Sequence, residues 1–251
     1  MTGPGALHWI RPDDPPDAFP DPQRALHEPD GLLAVGGDLT PERLLAAYRR
    51  GIFPWYEAGQ PILWWSPDPR AVLLPDDLHV SGSLRKALRS KDINVTFDRC
   101  FAQVIRGCAE PRPHQRGTWL TTEMLSAYER LHGLGHAHSV EVWDDGALAG
   151  GLYGVAIGRV FFGESMFSRR RDASKVALCH LVKEISVRGF ELIDCQVHSA
   201  HLSSLGCRTM PRRQFLSLLG RLCSDPQPCS WDRVSTAEPA LRHSPEHPPH
   251  Q

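Results

Sequence analysis

Apolar and polar positions are most informative in one stretch of the chain's second half, where they predict a strand, a helix and a second strand. An apolar run at residues 160–162 is followed by a segment, residues 174–188, with apolar side chains at helical spacing. A second apolar run occupies residues 190–193. This order places Glu164 and Asp194 at the ends of two strands, and a helix that packs on the sheet leaves those ends to frame a cleft.

The remaining helices and strands follow from the same two periods. Apolar residues three or four apart predict helices, and strict alternation predicts strands. The predicted helices occupy residues 40–50, 81–90, 97–107, 121–132 and 211–222, and the predicted strands occupy residues 70–74, 137–143, 147–155 and 159–167. Helices followed by an antiparallel hairpin and a strand-helix-strand unit predict an α+β fold.

Two prolines, Pro67 and Pro69, mark the predicted domain boundary, because proline resists both helix and interior strand. We therefore predict a small N-terminal domain over residues 1–68 and a larger catalytic domain over residues 69–222. Residues 223–251 are rich in Pro and His, and they are predicted to be a disordered tail.

Composition limits the class of protein. A chain of 251 residues with 41% hydrophobic residues can bury a substantial core. No run of about 18 apolar residues occurs, and the first residues lack a basic region followed by an apolar one, so we expect a globular cytoplasmic protein without a membrane span. Seven scattered cysteines without a C-x-x-C pair predict free thiols and no structural zinc site.

Charge is unevenly distributed, although the formal net charge is only −1. Residues 79–222 hold 20 Lys and Arg against 13 Asp and Glu, a local net charge of +7. A phosphate backbone responds to such a local patch, so RNA binding stays open. The best basic cluster lies on the predicted helix 81–90 and consists of Arg85, Lys86, Arg89 and Lys91. An ordinary solvated helix face is the alternative interpretation.

Two other chemistries are possible but disfavoured. His132 and His136 have the i, i+4 spacing of zinc-binding helices, but Gly133 breaks the helix and the glutamate of H-E-x-x-H is absent, so no metal site is predicted. Cys195 lies near His198 in the sequence, and a thiol mechanism is conceivable. Cysteine is among the most buried residue types, which favours a structural role.

Several motifs in one order resemble a known family. GESMFSR, the following ASK and LIDCQV resemble the leucyl/phenylalanyl-tRNA–protein transferases, which move an apolar amino acid from a tRNA to the N-terminus of a protein. The resemblance spans about Glu28 to Leu219 and includes GLLAVGGDL, RGIFPWY, ILWWSPDPRAVL, GTWLT, GHAHSVEVW and SLGCRTMPRRQF. It implies an acetyltransferase-like (GNAT-type) fold, in which a splayed mixed sheet opens a cleft.

The resemblance also implies site residues and partners. The expected catalytic residues are Asp194, Gln196 and Glu164, and the expected substrate contacts are Trp55, Trp119, Phe161, Leu152 and Leu178. The expected partners are the 3′ end and acceptor stem of an aminoacyl-tRNA carrying Leu, Phe or Met, and proteins that begin with Arg or Lys and are marked for degradation. A monomer is expected.

No cofactor is expected, because the aminoacyl ester is already activated. The enzyme has only to hold the ester and the amine together, accept a proton and stabilise the oxyanion. Asp194 and Gln196 are two apart and are expected on one face of their strand.

Three alternatives remain open. A strand-end aspartate such as Asp194 is commonly a cap or an ion-pair partner. The cleft could belong to a non-catalytic tRNA- or protein-binding module. An acyl-CoA-dependent acetyltransferase is disfavoured, because Ser168-Arg169-Arg170-Arg171-Asp172 replaces a glycine-rich pyrophosphate turn.

Overall fold

Strands of two β-sheets organise the computed structural model, which describes residues 7–111 and 120–224. The strands are β1 (His8–Ile10), β2 (Leu32–Gly36), β3 (Phe53–Pro54), β4 (Leu63–Trp65), β5 (Arg70–Leu73), β6 (Ile93–Phe97), β7 (Ala137–Asp144), β8 (Ala147–Ile157), β9 (Val160–Ser168), β10 (Leu192–Gln196) and β11 (Arg208–Met210). The smaller sheet has the order β1-β2-β4-β3, and the larger has the order β11-β5-β10-β9-β8-β7-β6. The predicted α+β class is confirmed.

The helices surround the larger sheet. They are α1 (Pro41–Arg49), α2 (Gly82–Leu88), α3 (Phe101–Ala109), α4 (Thr122–Gly133), α5 (Ala173–Val187), α6 (Ala200–Ser203) and α7 (Arg212–Leu222). Proline opens α1 because its fixed φ suits the first helical position. Gly51 follows that helix at φ 70°, a conformation that glycine adopts without steric cost. None of the helices described within residues 7–111 and 120–224 is long and apolar enough to cross a membrane.

Both faces of the larger sheet are covered. Helix α5 packs on one face through Leu178, Val182 and Ile185, in a core that also contains residues of α2. Helices α3 and α4 cover the other face, where Phe101 and Tyr128 are buried. A mixed sheet between two helical layers leaves its strand ends, and any gap between separating strands, as the places where a site can form.

The larger sheet splays apart between β9 and β10. These strands are its one parallel pair in the described chain, and their pairing runs from Leu192 opposite Val160 to Asp194 opposite Phe162. Beyond that point β9 continues to Ser168 along β8 alone. Glu164 therefore lies within β9 and Asp194 within β10. The expectation that both carboxylates lie at strand ends was wrong. The separation of the two strands produces the splayed sheet that the resemblance implies.

The smaller sheet shares a hydrophobic core with the larger one. Ile10, Tyr48 and Trp64 are buried in the same cluster as Phe101 and Phe215. The change of sheet falls between Trp65 and Arg70, close to the predicted boundary at residue 68. The division into domains stays a prediction. All but the first two residues of the predicted tail, 223–251, lie outside the described residues.

Several predicted element bounds were wrong. The predicted helix at residues 97–107 is α3, which begins at Phe101, and residues 93–97 form the edge strand β6. The alternating residues Ile93, Val95 and Phe97 pair with β7. This tertiary pairing places Phe97 in a strand, although the sequence predicts that a helix begins there. The strand predicted at residues 190–193 is shifted to β10.

Two further corrections concern shorter segments. The helix predicted at residues 81–90 ends at Leu88, so Arg89 caps it and Lys91 follows it. Residues 8–10, which carry no strong pattern, form β1 parallel to β2. Short strands of this kind are stabilised by the partner strand and not by their own propensity.

Candidate active site

A cleft of about 780 Å³ opens where β9 and β10 separate. One wall is apolar and comes from strands and α5, and its residues include Leu152, Phe161, Met166, Leu178, Leu181 and Ile193. Glu164 and Gln196 face the same cleft, together with Tyr153. An apolar pocket with a few convergent polar groups is the usual composition of a small-molecule site.

Glu164 is the centre of a hydrogen-bonded chain. The Tyr128 hydroxyl donates to its Oε2 at 2.6 Å, and the Gln196 Nε2 donates to its Oε1 at 2.8 Å. The hydroxyl of Tyr48, on α1, lies 2.6 Å from that of Tyr128, on α4. These contacts fix the carboxylate at the cleft from two sides.

Burial raises the pKa of Glu164 to about 7, against the lowering effect of the hydrogen bonds from Tyr128 and Tyr48; the nearby charge of Asp194 raises it further. Burial also raises the pKa values of Tyr48 and Tyr128 well above their usual range, so both phenols remain protonated donors. A carboxyl group with a pKa near the working pH can accept and return a proton. Glu164 has the protonation behaviour that a general base requires.

Asp194 is fully buried and is not among the residues that line the cleft. Its two oxygens accept from the Arg70 guanidinium, Nε to Oδ1 at 2.8 Å and Nη2 to Oδ2 at 2.6 Å. Arg70 also donates to the Gly51 carbonyl and lies between the rings of Phe53 and Phe215. The bidentate ion pair is the partner role that sequence reasoning kept as its alternative.

Gln196 is positioned by a bulge in β10. The register with β5 shifts between Asp194 and Gln196, and Gln196 has φ 61°. Its backbone N–H donates to Asp194 Oδ1 at 2.9 Å, and its side chain reaches Glu164. The expected period-two arrangement of Asp194 and Gln196 does not hold, because a bulge inserts an extra residue and re-aims the side chain.

The predicted substrate contacts divide into three groups. Phe161, Leu152 and Leu178 line the cleft. Trp55 is 45% exposed, packs against Trp65, and does not line the cleft as the structure describes it. Trp119 lies outside the described residues. The structure brings together three of the five residues.

The predicted basic cluster lies on the surface at and beyond α2. Its four side chains are all exposed, and none forms an ion pair with another residue of the described ranges: Arg85, Lys86, Arg89 and Lys91. Unpaired cations are available to phosphates, whereas paired ones must first exchange their partners.

The geometry of the described residues does not favour a cysteine nucleophile at Cys195 or a metal site at the histidines. The pKa of the Cys195 thiol is raised well above its usual value, first by a hydrogen bond with Cys207 and then by burial. A protonated thiol is a poor nucleophile. His132 contacts the Ala137 carbonyl at 2.8 Å, and His138 contacts Asp98 at 2.7 Å. Within the described ranges, no group of three His, Cys, Asp or Glu could hold a metal ion.

Sequence reasoning missed Arg70, Tyr128 and Tyr48. Arg70 begins a predicted strand, and the two tyrosines fall within predicted helices, where their side chains are buried. Both predicted helices are confirmed, and the two hydroxyl groups form the hydrogen-bonded chain that ends at Glu164. A tyrosine on a buried helix face is the available signal, because a buried phenol requires a hydrogen-bond partner.

Solved structures of similar shape match only weakly. A GCN5-related N-acetyltransferase from Kribbella flavida has 15% identity and a TM-score of 0.36, covering 68% of this chain and 61% of that chain. The L-PGS structure from Bacillus licheniformis has 11% identity and a TM-score of 0.37, covering 64% and 52%.

Curated relatives match over almost their full length. The leucyl/phenylalanyl-tRNA–protein transferase of Stutzerimonas stutzeri is 59% identical over 90% of this chain and 99% of its own. The proteins of the same name from Aromatoleum aromaticum and Chromohalobacter salexigens are 58% and 56% identical, over 92% and 91% of this chain and 97% and 91% of theirs.

Two family models match in addition. The model described as leucyl/phenylalanyl-tRNA protein transferase matches residues 72–220, and the model of its N-terminal domain matches residues 37–68. The first covers more than half of the chain and contains Glu164, Asp194 and Gln196. The chain belongs to the leucyl/phenylalanyl-tRNA protein transferase family.

Proposed function

We propose that this protein transfers Leu or Phe from an aminoacyl-tRNA to the N-terminal amine of proteins that begin with Arg or Lys. The observation that carries this proposal is an apolar pocket that ends at a carboxylate with a raised pKa, Glu164, held by Gln196. The names of the relatives give the donor and the reaction class.

The bond changes are simple. The acceptor amine attacks the ester carbonyl, a C–N bond forms, and the C–O bond to the terminal ribose breaks. Glu164 takes the proton that the attacking amine nitrogen loses as the C–N bond forms, and it returns that proton to the departing ribose oxygen. The ester is already activated, so these steps need positioning and proton transfer and no external energy source.

Each polar residue has one role in this proposal. Gln196 orients Glu164 through its side-chain amide, and Tyr128 holds the other carboxylate oxygen. Asp194 is a positioning residue, because its oxygens are occupied by Arg70 and by the backbone N–H of Gln196. In this proposal Glu164 transfers the proton, and Asp194, although expected to be catalytic, does not.

The apolar wall selects the aminoacyl side chain. Leu152, Phe161 and Leu178 accept an apolar group such as Leu, Phe or Met, and aliphatic walls discriminate only weakly between similar sizes. Trp55 and Trp119 remain predicted contacts of the terminal adenosine or the aminoacyl group. The basic cluster at α2 contacts acceptor-stem phosphates, and the protein acts as a cytoplasmic monomer that marks its acceptors for degradation.

One incubation tests the proposal. Purified protein is mixed with Leu-tRNA and a peptide that begins with Arg, and the product is identified by mass. A peptide extended by one leucine is expected. Folded protein that binds the tRNA but yields no extended peptide would instead support a non-catalytic binding module.

A further inference from the structure

An acceptor that begins with Arg or Lys carries a positive side chain, which requires a negative partner near the reacting amine. Two carboxylates line the cleft within the described ranges, Glu110 and Glu164. Glu164 is already engaged by Tyr128 and Gln196. Residues 112–119, which follow Glu110 closely in the chain, contain no Asp or Glu. Because Glu164 is assigned to proton transfer, Glu110 is the carboxylate that remains to pair with an acceptor side chain.

A guanidinium of the protein itself already occupies the position beside Glu110. Arg169 Nε donates to Glu110 Oε2 at 3.4 Å, and its Nη2 contacts Oε1. The guanidinium carbon lies 5.1 Å from the centre of the Phe167 ring, and Nη1 donates to the Leu148 carbonyl at 3.1 Å. A carboxylate, an aromatic face and a carbonyl are groups that bind an arginine side chain.

The ion pair of Arg169 with Glu110 is weak enough for an acceptor side chain to replace Arg169. The side chains of Arg169 and Glu110 are 45% and 53% exposed, and exposed ion pairs are weak. Phe167 follows Glu164 by three residues along β9, about 10 Å at the rise of a strand. An extended arginine side chain spans most of the distance from Glu164 to Phe167. An acceptor whose amine is near Glu164 can therefore bring its guanidinium towards Phe167 and Glu110.

We propose that Glu110, with the Phe167 ring, forms the subsite for the positive side chain of the acceptor's first residue, and that Arg169 occupies this subsite until the acceptor displaces it. This inference rests on the proposed function, since it names the determinant of acceptor choice. It predicts that Arg is preferred over Lys, because a planar guanidinium can pair with the carboxylate through two N–H groups while it stacks on the ring.

Three peptides, two subsite variants and one control variant test the subsite. The peptides begin with Arg, Lys or citrulline, the uncharged isostere of arginine, and initial rates of leucine transfer give KM and kcat. Glu110→Gln should raise KM for the Arg peptide roughly fivefold, leave kcat nearly unchanged, and leave the citrulline peptide unaffected. Glu129→Gln is the matched control, because Glu129 pairs with exposed Arg106 away from the cleft.

Arg169→Met should have the opposite effect and lower KM for the Arg peptide, because the internal competitor is removed while Glu110 remains. A rise in that KM in both variants would identify the pair as a structural contact and overturn the proposal. Equal KM values for Arg and citrulline peptides in the unmodified protein would also overturn it, with transfer itself intact. Absence of any transfer by the unmodified protein would refute the proposed function instead.

Discussion

At the scale of single residues, Asp194 forms a buried ion pair with Arg70 and accepts a hydrogen bond from the backbone of Gln196. Both side chains are buried, with 1% and 0% exposure. Removing one partner of a buried pair leaves an uncompensated charge, which typically costs about 3–5 kcal/mol of folding free energy. The pair also fixes the backbone of Gln196, so its loss affects both stability and geometry.

Asp194→Asn should therefore destabilise the protein by about 3 kcal/mol, because the charge of Arg70 stays buried without a partner. Denaturant unfolding measures this loss. Adding Arg70→Met should recover part of it, since the double variant removes both charges. A stable Asp194→Asn protein with a large specific loss of single-turnover rate would return Asp194 to the role of base.

Glu164 gives the sharpest prediction for pH dependence. Its carboxyl must be ionised to accept a proton, so kcat/KM should rise with pH until about 7, the pKa of Glu164. The acceptor amine has a pKa near 8 and adds its own rising limb. Glu164→Gln should lower the rate roughly a hundredfold and reduce the slope of log kcat/KM below pH 6 from two to one.

The pH dependence of the free energy of unfolding tests the pKa of Glu164 independently of activity. The pKa of Glu164 is raised from 4.5 to about 7, so the folded state binds a proton more tightly than the unfolded state between those values. Its contribution to stability is complete below pH 4.5 and is lost as the pH rises through about 7. Glu164→Gln should remove this decline, and an unchanged decline would assign it to other groups.

At the scale of elements, α2 and the residues after it act as one exposed basic edge. Only Arg85 and Lys86 lie within the helix, since α2 ends at Leu88. Leu84 and Leu88 are buried against the core that contains α5, which holds the cations outward. A short helix anchored by two leucines can present charge without depending on the charge for its stability.

Replacing Arg85 and Lys86 with Ala should weaken binding of different tRNAs by a similar factor and reduce the slope of log K against log salt by about two. The slope is measured by titration at several salt concentrations. Arg208→Ala with Arg221→Ala is a charge-matched control, because each of these arginines already pairs with an acid. An unchanged slope in the α2 variant would leave its cations on an ordinary solvated face.

At the scale of the whole molecule, the N-terminal segment is connected to the cleft by hydrogen bonds as well as by the shared core. Tyr48 on α1 contacts Tyr128 on α4, which holds Glu164 on β9. Arg70 contributes a second connection, from Asp194 to the carbonyl of Gly51. Buried polar networks of this kind are stabilising only when each member has its partner.

Tyr48→Phe should lower stability by about 1 kcal/mol, because it removes one buried hydrogen bond. It should also raise the pKa of Glu164, since hydrogen bonds from Tyr48 and Tyr128 favour the charged carboxylate. The midpoint of the activity profile should therefore shift upward, whereas a purely structural role for Tyr48 would leave that midpoint in place.

The sequence by itself determined the elements with strong periodicity. The hairpin of β8 and β9, helix α5 and the first helix were predicted nearly to their bounds, because burial of one face imposes a period that survives in the sequence. The motifs also singled out Glu164, Asp194 and Gln196, which the structure places in contact with one another through Gln196.

Only the tertiary structure decided what those residues contact. Arg70 is 124 positions from Asp194, and Tyr128 is 36 positions from Glu164, so neither partner leaves a local pattern. The bulge before Gln196 depends on pairing with β5. Short edge strands such as β6 are likewise specified by the neighbour they pair with. Periodicity records which side of an element is buried, whereas the protonation of a buried carboxylate depends on groups that only the fold brings together.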